Sequence, residues 1–208
     1  MSKFLPFLLL IVKKITTASS HFELDLTRDE NKWLLSTCAT SGGINSVAAK
    51  VPGNAHTDLM NAKVLSGDPY FRFNEVNMSW VALQCWAYEL TGLDFENQEN
   101  NSPSMLRLEG VDTVGSVFLN NVLIGHCNNA FRTYHFEIEP QIVKAGASNV
   151  LRIEMSSAAI EAKIRAGEYP YEVPATENYN VWAEPSSRNF VRKAGSDFGA
   201  FIIAAKNF

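Results

Sequence analysis

The sequence predicts an all-β protein in which antiparallel sheets form a sandwich. Apolar and polar side chains alternate through residues 106–109 and 133–138, which is the period of strands with one buried face. Asn120-Asn121 interrupts two apolar segments, and Asn tolerates the positive φ of a tight hairpin turn. The resulting meander has one apolar face, so a second sheet must cover it.

The strands of this meander are predicted at 105–109, 117–119, 122–124 and 133–138. The pattern does not decide which face of the second strand turns inward. Either Phe118 or Leu119 is therefore expected in the core.

The first twenty residues are typical of a secretory signal peptide. Lys3 precedes an apolar run at 4–12, and Ala18-Ser19-Ser20 provides small residues for cleavage. A Lys13-Lys14 pair directly after the apolar run is atypical of such signals. The alternative is a membrane anchor, but nine apolar residues are too few for a bilayer that requires about 20.

A secretory route predicts a lysosomal or extracellular protein that is not bound to a membrane after the signal is removed. It also gives meaning to two N-glycosylation sequons, at Asn77 and Asn100, of which the second lies in a polar, turn-rich segment. The net charge of −4 does not favour nucleic-acid binding. Loss of the signal would remove three lysines and no acid, which makes the remaining chain more acidic.

The three cysteines, Cys38, Cys85 and Cys127, permit at most one internal disulfide and leave one thiol. Their spacing matches no metal site, and Cys127 next to His126 lacks two further ligands. We interpret the unpaired cysteine as a small buried apolar side chain, and we expect neither a metal nor another cofactor.

The remaining elements are less regular. Residues 23–33 and 80–90 alternate as strands, and Leu151, Ile153 and Met155 indicate another. The turn at 51–54 leads into a helical patch that contains Leu59, Met60 and Val64. Ser157 is predicted to cap one or two helical turns that end near Arg165. Prolines indicate a long loop over 167–185.

Several segments, in order, resemble the amino-terminal sugar-binding domain of β-mannosidases in glycoside hydrolase family two. They lie at 51–59, 68–75 with Trp80, 110–114, 119–125, 129–134, 188–193 and 196–199. The resemblance extends from about Trp33 to Gly199. It implies a jelly-roll β-sandwich of the galactose-binding type.

With the signal predicted at 1–20, the resemblance implies a domain organisation in which the sandwich occupies 21–199 and a tail occupies 200–208. In the family a Trp-Asp-Trp-Gly-Pro segment follows and contributes to the mannose pocket, but here an apolar tail stands in its place. We expect that tail to be exposed. The two catalytic carboxyls of these retaining enzymes belong to a later (β/α)₈ barrel, so no residue of this chain is expected to be catalytic.

Arg188, Arg192 and Lys193 are the candidates for residues adjacent to the sugar pocket, and the alternative is a solvated charge cluster. A carbohydrate partner, a β-mannoside, is expected only when a catalytic domain completes the site. Two functions remain open. The chain is either part of a β-mannosidase that removes terminal β-mannose from oligosaccharides, or a non-catalytic carbohydrate-binding or structural module.

Two other pairs have the composition of acid/base partners: His56 with Asp58, and His135 with Glu137. The second pair shares one face of a strand and is expected to be solvated. No nucleophilic serine elbow and no phosphate-binding loop is present in the sequence.

Overall fold

The structure, a computed structural model, describes residues 9–14, 23–28, 32–38, 43–95, 104–144, 146, 148–171 and 191. Ten strands occur among them: β1 (Leu9–Lys14), β2 (Glu23–Asp25), β3 (Trp33–Thr37), β4 (Val47–Ala49), β5 (Trp86–Leu93), β6 (Ser104–Glu109), β7 (Gly115–Leu119), β8 (Val122–Cys127), β9 (Thr133–Ile138) and β10 (Asn149–Met155). The helices are α1 (Ala55–Asn61), α2 (Asn74–Met78) and α3 (Ala158–Glu168), with 3₁₀ helices at Ser79–Leu83 and Pro140–Ile142.

The strands form two antiparallel sheets that share one core. The four-stranded sheet has the order β2-β1-β6-β9, and the six-stranded sheet has the order β4-β3-β5-β10-β7-β8. The helices are short and lie in the connections between strands. The predicted all-β sandwich is confirmed.

Strict alternation of burial along the strands places the core between the sheets. On β3, β6, β7 and β10 every second side chain is buried, as a strand with one covered face requires. The apolar side chains most completely buried on these strands are Trp33, Leu35, Leu106, Leu108, Val117, Leu119, Leu151 and Ile153. Leu119 is 1% exposed whereas Phe118 is half-buried on the outer face. The question left open by the sequence is thereby decided in favour of Leu119.

The hairpin between β7 and β8 turns at the predicted dipeptide. Asn120 has φ of 52° and Asn121 has φ of 68°, the left-handed conformations that a two-residue hairpin of this twist requires. A bulge between Val117 and Phe118 then shifts the pairing by one residue. As a result Ser116 faces His126 across the strands.

Two asparagine side chains, the buried Asn149 and the half-buried Asn120, fasten this hairpin to the start of β10. Asn149 is 0% exposed, and its Nδ2 donates to the carbonyl oxygens of Leu93, Lys144 and Gly146 at 3.0, 2.9 and 3.1 Å. Its Oδ1 accepts from Asn120 Nδ2 at 2.8 Å and from the Lys144 amide at 2.7 Å. We call this arrangement the asparagine clasp.

Asn120 completes the clasp from the turn. Its Oδ1 accepts from the Val150 amide at 3.0 Å, and its Nδ2 also donates to the carbonyl oxygen of Ile142 at 2.7 Å. Two side chains thus satisfy backbone groups from the hairpin, from β10 and from the connection before β10. Such groups are costly to bury without partners.

Two predicted strands differ from the observed ones. The strand expected at 23–33 ends at Asp25, because the Asp25 carboxylate accepts from the amide and hydroxyl of Thr27 at 2.9 and 2.6 Å and turns the chain. Trp33 then begins β3 in the other sheet.

Trp80 was expected on the same strand as Trp86, but it lies in the 3₁₀ helix Ser79–Leu83. This helix folds back on β5, where Trp86 Nε1 donates to the carbonyl oxygen of Val81 at 2.8 Å. The even spacing of Trp80 and Trp86 in the sequence therefore spans two different elements, the 3₁₀ helix and β5.

Residues 9–14, which the sequence assigned to a secretory signal, form β1 between β2 and β6. Its register pairs Leu10 with Leu108 and Val12 with Leu106. Cleavage near Ser20 would remove β1, so the strand and the cleaved signal belong to different forms of the chain.

Both predicted helix starts are confirmed. Asn54 Oδ1 accepts from the Thr57 amide at 2.9 Å, and Ser157 Oγ accepts from the Ile160 amide at 3.1 Å. The helix α3 continues to Glu168, three residues beyond its predicted end. Within the described part of the chain no helix is long and apolar enough to cross a membrane.

Candidate functional site

The residues that the sequence placed next to a sugar pocket, Arg188, Arg192 and Lys193, lie outside the described residues. The sequon at Asn100 and the tail at 200–208 do so as well. Those assignments therefore stay predictions, and the described surface and interior provide the other candidates.

The pair His56 and Asp58 is buried within α1, at 5% and 2% exposure. Residues two apart on a helix do not face each other, so these two do not act as one acid/base unit. Asp58 Oδ1 instead accepts from the Lys50 amide at 3.1 Å, and Tyr88 of β5 lies next to the same carboxyl. The Asp58 carboxyl thus links α1 to Lys50, the residue directly after β4, and to Tyr88 of β5.

Burial raises the pKa of Asp58 to about 6, an effect that the hydrogen bonds from the Lys50 amide and Tyr88 offset only in part. Burial and the neighbouring Asp58 together raise the pKa of Tyr88 well above its ordinary value. Asp58 is therefore largely neutral below pH 6, and it is a structural group that favours the folded state in mild acid.

The raised pKa predicts a dependence of stability on pH. The unfolded chain ionises this carboxyl at its ordinary pKa, near 4, so its contribution to stability is complete below that pH. This contribution falls as pH rises and is lost above about 6, a change of roughly 3 kcal/mol.

Asn at position 58 keeps an acceptor for the Lys50 amide and does not titrate. Thermal melts of the parent and of Asp58→Asn between pH 4 and 7 should diverge as pH rises, with the variant relatively more stable at pH 7. Parallel curves would contradict the assignment.

His135 and Glu137 both lie exposed on β9. On the same edge of the four-stranded sheet they share a face, as expected from their spacing. Solvent surrounds the pair, and no feature of the described residues prepares it for catalysis.

A pairing that the sequence did not predict joins Ser116 and His126. The serine Oγ and the histidine Nδ1 are 3.1 Å apart, at the register position created by the bulge. Ser–His contacts of this kind activate a nucleophile when a third group orients the imidazole.

The carboxylate nearest in register to this pair is not placed for that role. Glu154 of β10 lies opposite Ser116 on the side away from His126. Arg152 binds Glu154, with Nη2 and Nε at 2.8 and 2.9 Å from Glu154 Oε1. Arg152 Nη1 also lies 3.9 Å from Glu89 Oε2. The group is therefore a polar ladder across the outer face of the six-stranded sheet, and we assign no nucleophilic chemistry to it.

The cysteines divide as the sequence allowed. Cys38 and Cys85 form a disulfide between the end of β3 and the start of β5. Cys127 is buried with a free thiol, and burial raises its pKa to about 12, so the thiol is inert. Within the described residues no three His, Cys, Asp or Glu side chains are grouped as metal ligands would be.

The most prominent described surface feature is an aromatic turn, which we define as residues 70–73. Tyr70, Phe71 and Phe73 are 61, 57 and 75% exposed. The backbone of Arg72 has φ of 54°, in the left-handed region. Its guanidinium lies 5.1 Å from the centre of the Phe71 ring. Exposed clusters of this kind mark contact surfaces more often than chance.

Hydrogen bonds fix the shape of the aromatic turn. Asp68 accepts from the Tyr70 amide through its side chain and from the Phe71 amide through its backbone, at 2.9 and 3.0 Å. Asn74 Nδ2 donates to the same backbone oxygen at 2.8 Å. The rings are thus presented on an ordered turn, which lowers the entropic cost of covering them.

Known proteins of similar sequence indicate the family of this chain. A family model described as glycosyl hydrolase 2 galactose-binding domain-like matches residues 29–200. β-Mannosidase from goat (Capra hircus) is 36% identical over 159 residues, which are 76% of this chain and 18% of that protein. β-Mannosidase A from Emericella nidulans is 31% identical over 194 residues, which are 91% of this chain and 19% of that protein.

A solved structure agrees. The crystal structure of β-D-mannosidase from Dictyoglomus thermophilum superposes with a TM-score of 0.69 at 29% identity, over 81% of this chain and 19% of that one. The chain thus spans about a fifth of the length of the relatives that it matches. It belongs to the glycosyl hydrolase 2 galactose-binding domain-like family, as an amino-terminal domain of the β-mannosidase-like proteins.

Proposed function

We propose that this chain is the non-catalytic amino-terminal domain of a β-mannosidase-like glycoside hydrolase. The complete enzyme would remove terminal β-mannose from oligosaccharides, with the domain supporting one side of the sugar site. The observation behind this proposal is the family match over 29–200 together with relatives whose names state the activity.

The chemistry of such enzymes explains why the domain alone is expected to be inactive. Retaining glycosidases require two carboxyls about 5–5.5 Å apart, one as acid/base and one as nucleophile. The acidic side chains described above have other roles: Asp58 of α1 is buried next to Tyr88 of β5, and Glu154 and Glu89 are held by Arg152.

We therefore expect the purified chain to release no product from an aryl β-mannoside above the buffer blank. Dictyoglomus β-D-mannosidase, assayed in parallel, shows that the substrate and conditions support turnover. Activity that survives repurification and elutes with the folded domain would contradict the proposal.

The second candidate, a carbohydrate-binding module, is supported by the galactose-binding-like fold. It predicts that the chain alone binds a soluble β-mannan. Affinity electrophoresis in gels with and without the polysaccharide would test it, since binding slows migration only in the polysaccharide gel. Equal mobility in both gels would reject this candidate and leave the supporting-domain role.

We further propose that the chain enters the secretory pathway and becomes lysosomal or extracellular. The apolar run at 4–12, the disulfide Cys38–Cys85 and the exposed Asn77 support this, because disulfides persist in oxidising compartments.

Secretion from eukaryotic cells should yield a protein that begins near residue 21 and carries N-linked glycan. Amino-terminal sequencing and a gel shift after glycosidase treatment measure both properties. Secreted material that retains Met1 would contradict the signal assignment.

A further inference from the structure

We propose that Asn77 is glycosylated and that the first sugar of its glycan packs on the ring of Phe73, at the end of the aromatic turn. The inference rests on the proposed secretory route. The glycan on Asn77 would cover the exposed ring of Phe73 with a group from the same molecule.

The geometry of α2 brings the two residues together. The Asn77 amide donates to the carbonyl oxygen of Phe73 at 3.1 Å, which is the helical bond between residues four apart. Phe73 is the N-cap of α2, the residue directly before Asn74, so its backbone lies about one helical turn from that of Asn77. Asn77 is exposed, and Phe73 is 75% exposed.

The chemistry of the contact is apolar. The ring of a pyranose presents a face of C–H groups, and burial of such a face against an aromatic ring removes apolar area of both partners from water. The amide link between Asn77 and the sugar is short, so the first sugar stays within about one helical turn of its attachment point.

Phe73 is the ring best placed to receive it. The ring of Phe71 is already partly covered by the guanidinium of Arg72. Tyr70 is seven residues from Asn77 and lies in the turn that precedes the N-cap Phe73. The helical bond connects Asn77 directly to Phe73.

The test uses a form in which Asn77 is the single remaining sequon, produced as Asn100→Gln with a heterologous secretory leader in a eukaryotic host. Endoglycosidase treatment trims the glycan to one N-acetylglucosamine, and Asn77→Gln supplies the form without sugar. Mass spectrometry of the peptide that contains residue 77 measures occupancy. Because the leader is supplied, failure of the chain's own signal would not affect the result.

We expect the form with one sugar to melt about 2–4 °C higher than the form without sugar. The difference should disappear in Phe73→Ser. It should persist in the matched control Phe131→Ser, which changes a ring of the same 75% exposure outside the aromatic turn.

Three results would overturn the proposal. An unoccupied Asn77 would show that the site is not glycosylated. An equal sugar-dependent shift in the melting temperature of Phe73→Ser would show that the sugar does not pack on Phe73. Concentration-dependent dimerisation of the occupied form that Phe73→Ser abolishes would assign the ring to a second copy of the chain instead.

Discussion

Replacement of Asn149 by Ala should destabilise the domain by about 3–5 kcal/mol, the largest effect expected of a single polar side chain here. The substitution removes three donated and two accepted hydrogen bonds of the clasp. It leaves the buried carbonyl oxygen of Leu93 and the partly buried one of Lys144 without their side-chain partner, and each unsatisfied buried group costs about 1–3 kcal/mol. The unfolding midpoint should fall by roughly 10 °C.

Asn61→Ala is the matched control, because Asn61 is exposed at the end of α1. Its midpoint should change by less than about 0.5 kcal/mol. Denaturant titration followed by circular dichroism measures both variants. If Asn149→Ala were as mild as the control, the clasp would not be the fastening that its geometry indicates.

Leu119→Ala should cost about 2–5 kcal/mol, because it leaves a cavity between the sheets. Leu119 is 1% exposed on the inner face of β7, in register with Leu151 of β10. Its neighbour Phe118 lies on the outer face, opposite Arg152 and Leu123. Phe118→Ala should therefore cost only about 1 kcal/mol or less, although it removes a larger side chain.

The comparison of these two variants is independent of side-chain size, since the larger truncation is predicted to have the smaller effect. The difference between their unfolding free energies is the quantity to measure. A larger loss for Phe118→Ala would mean that β7 is turned over, and that the register of the hairpin is shifted by one residue.

Local patterns in the sequence were sufficient for the elements of the meander. Period-two alternation located β6 and β9, a short apolar run located β7, and Asn120-Asn121 located the turn, because each depends on neighbours along the chain. The face of β7 was not predictable, since Phe118 and Leu119 are both apolar and the bulge after Val117 has no sequence mark.

Long-range polar contacts were not predictable from the residues. Nothing in Asn149-Val150-Leu151 distinguishes a buried amide with five hydrogen bonds from an ordinary strand residue. Its partners lie at Leu93, at Asn120 and in the connection that precedes β10. Only the assembled sheet brings these segments together.

The aromatic residues show the same limit for function. In the sequence, nothing next to Phe71 and Phe73 distinguishes them from core aromatics such as Trp86. The structure separates them: Trp86 is 5% exposed in the core, whereas Phe73 is 75% exposed. Arg188, Arg192 and Lys193, which rest on the family resemblance alone, stay predictions.

Domain replacement tests whether this chain can serve a catalytic part as its amino-terminal domain. Residues 29–200 would replace the matched segment of goat β-mannosidase, and hydrolysis of an aryl β-mannoside by the purified chimera would be measured. The matched segment of Emericella nidulans β-mannosidase A in the same position is the control for sequence divergence. We expect measurable turnover by both chimeras. A chimera with this chain that is folded and inert, while the control chimera is active, would contradict it.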